Sequence, residues 1–145
     1  MSLLAYYKYK TVKLFVLLAF LKQKELIMGI IKLNNIRTFS FHGCMDEEAK
    51  IGSDYRIDVV AKGDFTKAAA TDELEYAIDY VHLNKIVKEE MDKRAKLLET
   101  VCQRIIDRVF VEIRMVNEVK VSVSKINPPI GGDVEYVTVE MQGVR

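Results

Sequence analysis

Lys125 stands where a strand pattern calls for a hydrophobic side chain. In residues 118–125, Val119, Val121 and Val123 alternate with Lys120, Ser122 and Ser124. Side chains along a strand point to opposite faces with period two. Lys125 shares the parity of the valines, so its ammonium group ends a dry face. Two readings are open at this point. The stem is buried and the head reaches back to water. Alternatively the head is itself partly desolvated, burial disfavours its charged form, and the amine can act as a base near neutral pH. The chain then brakes at Pro128-Pro129 and Gly131-Gly132.

Glu99 is a second residue with chemical potential. In KLLETVCQRIIDRV, the helical repeat sets it beside Cys102 and Ile106, at the margin of an apolar stripe. A carboxylate near a helix start is favoured by the macrodipole. At the rim of a pocket, the same group could accept two parallel N–H donors from a guanidine-like ring edge. Glu48, in HGCMDEEAKIG, is one acid among three in a polar loop. Tyr80, in AIDYVHL, reads as either a packed aromatic or a phenol at a helix start. His42 reads as a structural histidine.

The elements that must position these residues follow from periodicity. Residues 29–43 and 54–65 alternate as strands, with Asn34-Asn35 marking a bulge in the first. Residues 44–53 are a polar loop or short helical turn, and residues 66–80 a connection. Helices are expected over about 80–93 and 96–110. The first has Leu83, Ile86, Val87 and Met91 at helical spacing, and the second carries the stripe Leu98, Val101, Cys102, Ile105 and Val109. Strands over 118–125 and 134–141 close the chain. The order strand, strand, helix, helix, strand, strand predicts an α+β fold: a four-stranded antiparallel sheet with both helices on one face. Such a sheet has two open edges, which invite pairing with another chain.

Composition bounds the function. The chain has 145 residues, 50% hydrophobic and 30% charged, as expected of one globular domain. A net charge of +1 provides no global field for nucleic acid or an anionic membrane, and neither is expected as a partner. Cys44 and Cys102 stand far apart without a CxxC pair, which fits a reducing cytoplasm. With two histidines and no HExxH, no metal site is expected. Residues 14–21, LFVLLAFL, follow Lys8, Lys10 and Lys13 in the manner of a signal peptide. The run is too short to span a bilayer, and no small-residue cleavage site follows. Residues 1–27 are therefore read as a dispensable, helix-compatible extension, and residues 28–145 as the domain.

Together the motifs are far more specific than any one of them. HG-x4-E runs from His42 to Glu48, with Ile51-Gly52 three residues on. TD-x7-Y runs from Thr71 to Tyr80, Leu97-Leu98-Glu99 opens a helix, and K-x-NPPI-x-G begins at Lys125. In order and spacing, over about residues 28–141, this closely resembles the dihydroneopterin aldolase family of folate biosynthesis. The resemblance implies the T-fold, with sheets joined between subunits into a barrel. It implies tetrameric rings stacked as an octamer, with sites between subunits. It also implies a soluble cytoplasmic enzyme acting on a pterin, without metal or cofactor. Residue by residue, it makes Lys125 the catalytic lysine and Tyr80 a catalytic tyrosine supplied by an adjacent subunit. Glu48 would face the substrate's hydroxylated tail, Glu99 would anchor the pterin, and Leu98 and Ile78 would offer backbone contacts. Ser53 departs from the Gln usual after Ile-Gly, and GGDVEY departs from commoner versions after the prolines.

The implied reaction is retro-aldol cleavage of 7,8-dihydroneopterin. The nearest alternative reuses its intermediate: a C2′ epimerase of dihydroneopterin or its triphosphate. The acidic loop around Glu48 favours an unphosphorylated tail. A more distant alternative is a non-catalytic oligomeric pterin-binding or assembly protein.

Overall fold

Alternating apolar residues build four strands: β1 (Met28–Ser40), β2 (Ser53–Asp64), β3 (Val116–Ile126) and β4 (Tyr136–Val144). They form one antiparallel sheet in the order β1-β2-β3-β4. The structure is a computed structural model and describes residues 10–13 and 25–145. The apolar run 14–21 lies outside the described residues. Ile27 is already tied in: its N–H donates to Thr66 Oγ1 at 2.8 Å and its carbonyl accepts from Phe65 N–H at 2.8 Å. The hydrogen bonding therefore reaches one residue upstream of the expected domain start, although the strand itself begins at Met28.

The expected loop at 44–53 contains α1 (Asp46–Ile51), and the expected connection at 66–80 contains α2 (Thr66–Thr71) and a 3₁₀ turn at Leu74–Tyr76. Then come α3 (Tyr80–Asp92) and α4 (Leu98–Glu112). Asp79 starts α3, its carboxylate accepting from Val81 N–H at 2.8 Å and His82 N–H at 3.3 Å. Such a cap satisfies donors that the helix itself leaves open. The bulge in β1 falls between Leu33 and Ile36, as Asn34-Asn35 predicts. Asn35 takes φ 58°, and its N–H donates to Asp58 Oδ1 at 2.7 Å.

Helix α4 packs on β3 and β4, and α3 packs on β1. The core between them holds Ile57, Val59 and Ala61 of β2, Val119, Val121 and Val123 of β3, and the buried stripes of both helices. The other face of the sheet is polar, with Ser122 bonded to Glu140 and Ser124 to Thr138. β1 and β4 are the sheet edges. Among the described residues, no helix is long and apolar enough to cross a membrane.

The two long helices are fastened by a buried carboxylate. Glu90 is 2% exposed. Its Oε1 accepts from Lys93 Nζ at 2.7 Å and Arg108 Nη1 at 2.9 Å, and its Oε2 lies 3.2 Å from Arg104 Nε. Arg104 also donates to the carbonyls of Glu90 (3.1 Å) and Lys93 (2.6 Å), closing the end of α3. Burial alone would raise the Glu90 pKa, but the bonds from Lys93 and Arg108 outweigh it and hold the group below the ordinary carboxylate range. Glu90→Ala should cost about 1–3 kcal/mol, because cations arranged around a carboxylate lose it. Urea unfolding of both proteins measures this. A loss under about 0.5 kcal/mol would mean that the cluster behaves like a solvated surface pair.

Candidate active site

β3 delivers Lys125 to the end of the dry face, opposite Tyr55 of β2. Lys125 is 5% exposed, so its head does not reach back to water but stays inside. Nζ donates to Glu48 Oε1 at 2.5 Å and to the His42 carbonyl at 2.9 Å. It stands 5.7 Å above the centre of the Tyr55 ring. The Tyr55 hydroxyl donates to the same His42 carbonyl at 2.9 Å. Burial pushes the Tyr55 phenol up, so it remains a donor at neutral pH. An ion taken from water needs such partners, since an uncompensated buried charge costs several kcal/mol.

Glu48 is not simply one acid of a solvated loop. It lies in the first turn of α1, and its Oε2 accepts the Met45 N–H at 3.0 Å while Oε1 faces Lys125. Burial raises its pKa, but the bonds from Lys125 and Met45, with Arg94 adding its charge, bring it below the usual carboxylate value. The loop must pass very close to reach this position. Gly43 has φ +145°, and a Cβ there would sit 2.1 Å from Glu48 Oε2. Glycine meets both demands, because it lacks the Cβ and tolerates that φ.

Glu48, Lys125, Leu98 and Glu99 line one cleft of about 300 Å³. Pro128, Pro129 and Ile130 form a further wall, set by a turn in which Asn127 has φ 47°. Glu99 is exposed in the first turn of α4, whose N-cap, Leu97, supplies no side-chain bond. The helix start therefore offers a carboxylate together with free backbone donors. Tyr80 and Ile78 are not brought to this cleft. Tyr80 opens α3 and is 59% exposed, while the Ile78 side chain is in the core. The other thiol, Cys102, is buried and raised to about 11, which removes it as a nucleophile at neutral pH.

Three participants are not visible in single motifs. Tyr55 has the dry-face parity of its strand, which signals burial but not its place under Lys125. The pairing of Glu48 with Lys125 joins residues 77 apart in sequence. His42, 1% exposed, supplies the carbonyl that holds both Lys125 and Tyr55. Its Nδ1 accepts the Ala95 N–H at 3.1 Å.

Residues 31–142 match the family model described as FolB, dihydroneopterin aldolase. The chain is 32% identical over 115 residues to the dihydroneopterin aldolase of Bacillus subtilis (strain 168), covering 79% of this chain and 96% of that protein. Its fold is similar to E. coli dihydroneopterin aldolase in complex with neopterin, with TM-score 0.72 at 19% identity, covering 79% of this chain and 98% of the other. It is also similar to the Burkholderia thailendensis dihydroneopterin aldolase bound to guanine, with TM-score 0.65 at 20% identity, covering 81% and 92% of the two chains.

The buried imidazole gives the site a pH signature. Burial first, then the charges of Arg104 and Lys125, lowers the His42 pKa from 6.5 to about 4. The unfolded chain takes up this proton near pH 6.5, the folded chain only near 4. The contribution is thus complete above pH 6.5 and is lost as pH falls toward 4, by roughly 1.4 kcal/mol per unit at most. Chemical unfolding at pH 7.5, 6.5, 5.75 and 5 should show wild-type stability declining in this window and His42→Asn declining less. Parallel curves would mean that the ring is not held neutral by folding.

Proposed function

The chain belongs to the dihydroneopterin aldolase family, and from that premise we propose how its residues divide the cleavage of 7,8-dihydroneopterin into 6-hydroxymethyl-7,8-dihydropterin and glycolaldehyde. The observation that carries the reading is a lysine held at 2.5 Å from Glu48 in the same cleft as Glu99. Base, tail-facing carboxylate and ring acceptor thus share one space of suitable size.

Glu99 accepts the 2-amino group and N3–H of the pterin, a pair of parallel donors that suits a carboxylate. Leu98 adds a backbone contact from the same chain; Ile78, outside this cleft and with its side chain in the core, would offer its backbone from an adjacent subunit. Guanine, seen in the Burkholderia relative, presents a similar amino-and-N–H edge. Glu48 orients the hydroxylated tail and keeps Lys125 beside it.

Lys125, in its neutral amine form, takes the 2′-hydroxyl proton, directly or through a water. The oxygen electrons form the aldehyde C=O and the C1′–C2′ bond breaks. Its electron pair moves onto C1′ and into C6=N5, and N5 gains a proton. The enamine so formed is protonated at C1′, assisted by Tyr80 of an adjacent subunit, while N5 gives up its proton to restore the C6=N5 imine, and the hydroxymethylpterin results. The imine of the pterin is the electron sink, so no Schiff base to Lys125 is needed. Holding reactants in such geometry supplies several kcal/mol of barrier reduction, and acid–base help adds about 10²–10⁴-fold.

The same reading extends to assembly. We propose rings of four chains joined edge to edge through β1 and β4, stacked in pairs as an octamer, working in the cytoplasm. The two open edges and the outward Tyr80 support it. Residues 1–27 carry none of the proposed site residues and are proposed to be dispensable for the chemistry, with Ile27 retained for its bonds to Phe65 and Thr66.

Two substitutions separate the roles. Lys125→Ala should abolish turnover, followed by chromatography of the pterin product, while pterin affinity stays within about tenfold, since a lost base strikes the chemical step. Near-normal turnover would remove Lys125 from the role of base. Glu99→Ala should instead weaken binding by about tenfold or more, because paired donors of the ring lose their acceptor. Unchanged pterin affinity by calorimetry would reject Glu99 as the anchor.

A further inference from the structure

Two short stretches of chain meet beside the cleft, and His42 takes part in the contact with both its backbone and its ring. On the β1 side, the His42 carbonyl accepts from Lys125 Nζ and from the Tyr55 hydroxyl, each at 2.9 Å. On the helix side, its Nδ1 accepts the Ala95 N–H at 3.1 Å. The next residue continues the seam: Gly43 N–H donates to the Ala95 carbonyl at 3.0 Å, and its carbonyl accepts from Arg94 Nη2 at 3.1 Å. Ala95 lies three residues before α4 begins at Leu98, and Glu99 follows at once. The imidazole is thus the buried side-chain link between the segment that fixes Lys125 and the segment that leads to Glu99, beside the exposed links from Arg94 Nη2 to the Gly43 carbonyl and from Cys44 Sγ to the Lys96 carbonyl at 3.5 Å.

The ring is enclosed around that bond. It is 1% exposed and packs edge-on against Tyr55, with centroids 5.3 Å apart and planes at 71°. Because Nδ1 accepts, the ring proton is on Nε2, which is buried on the side of the Met91 backbone. What the position uses is an acceptor at Nδ1, not proton exchange. The ring is not placed to act as an acid or base: its Nδ1 is occupied by the Ala95 N–H and its Nε2 is buried.

We propose that His42 is a positioning residue that sets the distance between the base Lys125 and the ring anchor Glu99 through its Nδ1 bond to Ala95. This rests on the roles proposed for Lys125 and Glu99. A pterin must reach both at once, so a shift of either segment misplaces the tail against the base; a misplacement of about 1 Å can cost 100-fold in rate. His42 acts on both ends together, unlike Lys125, whose loss affects chemistry, and Glu99, whose loss affects binding.

The test compares three variants of the full-length protein, with kcat, KM and neopterin affinity measured at a temperature well below unfolding. His42→Asn places Oδ1 near the position of Nδ1 and keeps the acceptor; kcat and affinity should remain within about threefold of wild type. His42→Leu keeps the bulk and removes the acceptor. It should lower kcat by about 10- to 100-fold and weaken neopterin binding by about tenfold. His42→Gln keeps a polar amide whose oxygen reaches past the Nδ1 position, and should follow Leu rather than Asn. If the Leu variant does not fold, the contrast between Asn and Gln decides. Wild-type-like kinetics in Leu or Gln, a lowered unfolding temperature without a kinetic effect, or an Asn variant as impaired as Leu would each overturn the proposal. Absence of aldolase activity in the wild-type protein would instead overturn the roles assigned to Lys125 and Glu99, so the two failures are separate.

Discussion

The hydrogen-bonded pair of Lys125 and Glu48 constrains the loops around it. Lys125 sits at the end of a valine row, and at 5% exposure it cannot recover much of its hydration from water. Its partners must come from the chain. Glu48 comes from α1 and the His42 carbonyl from the segment leaving β1. To bring both within 3 Å, the chain between them must turn tightly against the carboxylate. This is why Gly43, with its left-handed φ and no room for a Cβ, lies between them. The HG dipeptide and the glutamate five residues beyond the glycine are consequences of one buried charge.

A second buried charge holds the opposite wall. Glu90, ringed by Lys93, Arg104 and Arg108, joins the end of α3 to α4 and fixes the segment 93–97 between them. That segment bonds to His42 and Gly43 and then enters α4. The two ionic clusters are therefore coupled mechanically through one short loop, and electrostatically as well, since Arg104 and Lys125 both oppose a proton on His42. A buried polar network of this kind is favourable only when its members are satisfied together. The cleft is cross-linked by hydrogen bonds at His42 and Gly43, and exposed at Glu99.

Much of this was legible in the residues, for definite reasons. Strand parity placed Lys125 among Val119, Val121 and Val123, and all four are buried. The Asn34-Asn35 pair marked the bulge because Asn adopts the left-handed conformation that a bulge can need. Helical spacing found the buried faces of α3 and α4. Less was visible where partners are remote. Nothing local tells that Glu48, rather than Asp46 or Glu47, meets a lysine 77 residues away. Glu90 reads as a surface acid beside Glu89 and is instead 2% exposed, because three cations from two elements converge on it. The last strand, expected over 134–141, runs Tyr136–Val144, since its extent is set by pairing with β3 from Glu118 to Ile126 and not by its own apolar residues.

The position of Tyr80 has a geometric consequence for where a complete site can exist. Tyr80 is the first residue of α3, and the loop that walls the cleft follows the last, Asp92. A helix of 13 residues spans about 20 Å at 1.5 Å per residue. A phenol side chain reaches only a fraction of that length, so Tyr80 cannot serve the cleft whose wall its own helix supports. A cleft that uses this tyrosine must receive it from a second copy of the chain. The surface is suited to such a contact: Phe39 and Phe41 at the end of β1, and Tyr136 and Val137 on β4, are large apolar side chains left exposed along the two unpaired edges. Edge pairing would cover them and supply backbone partners for both strands. In the proposed assembly, the contact that closes the sheet would also be the contact that brings a second chain's Tyr80 toward Lys125.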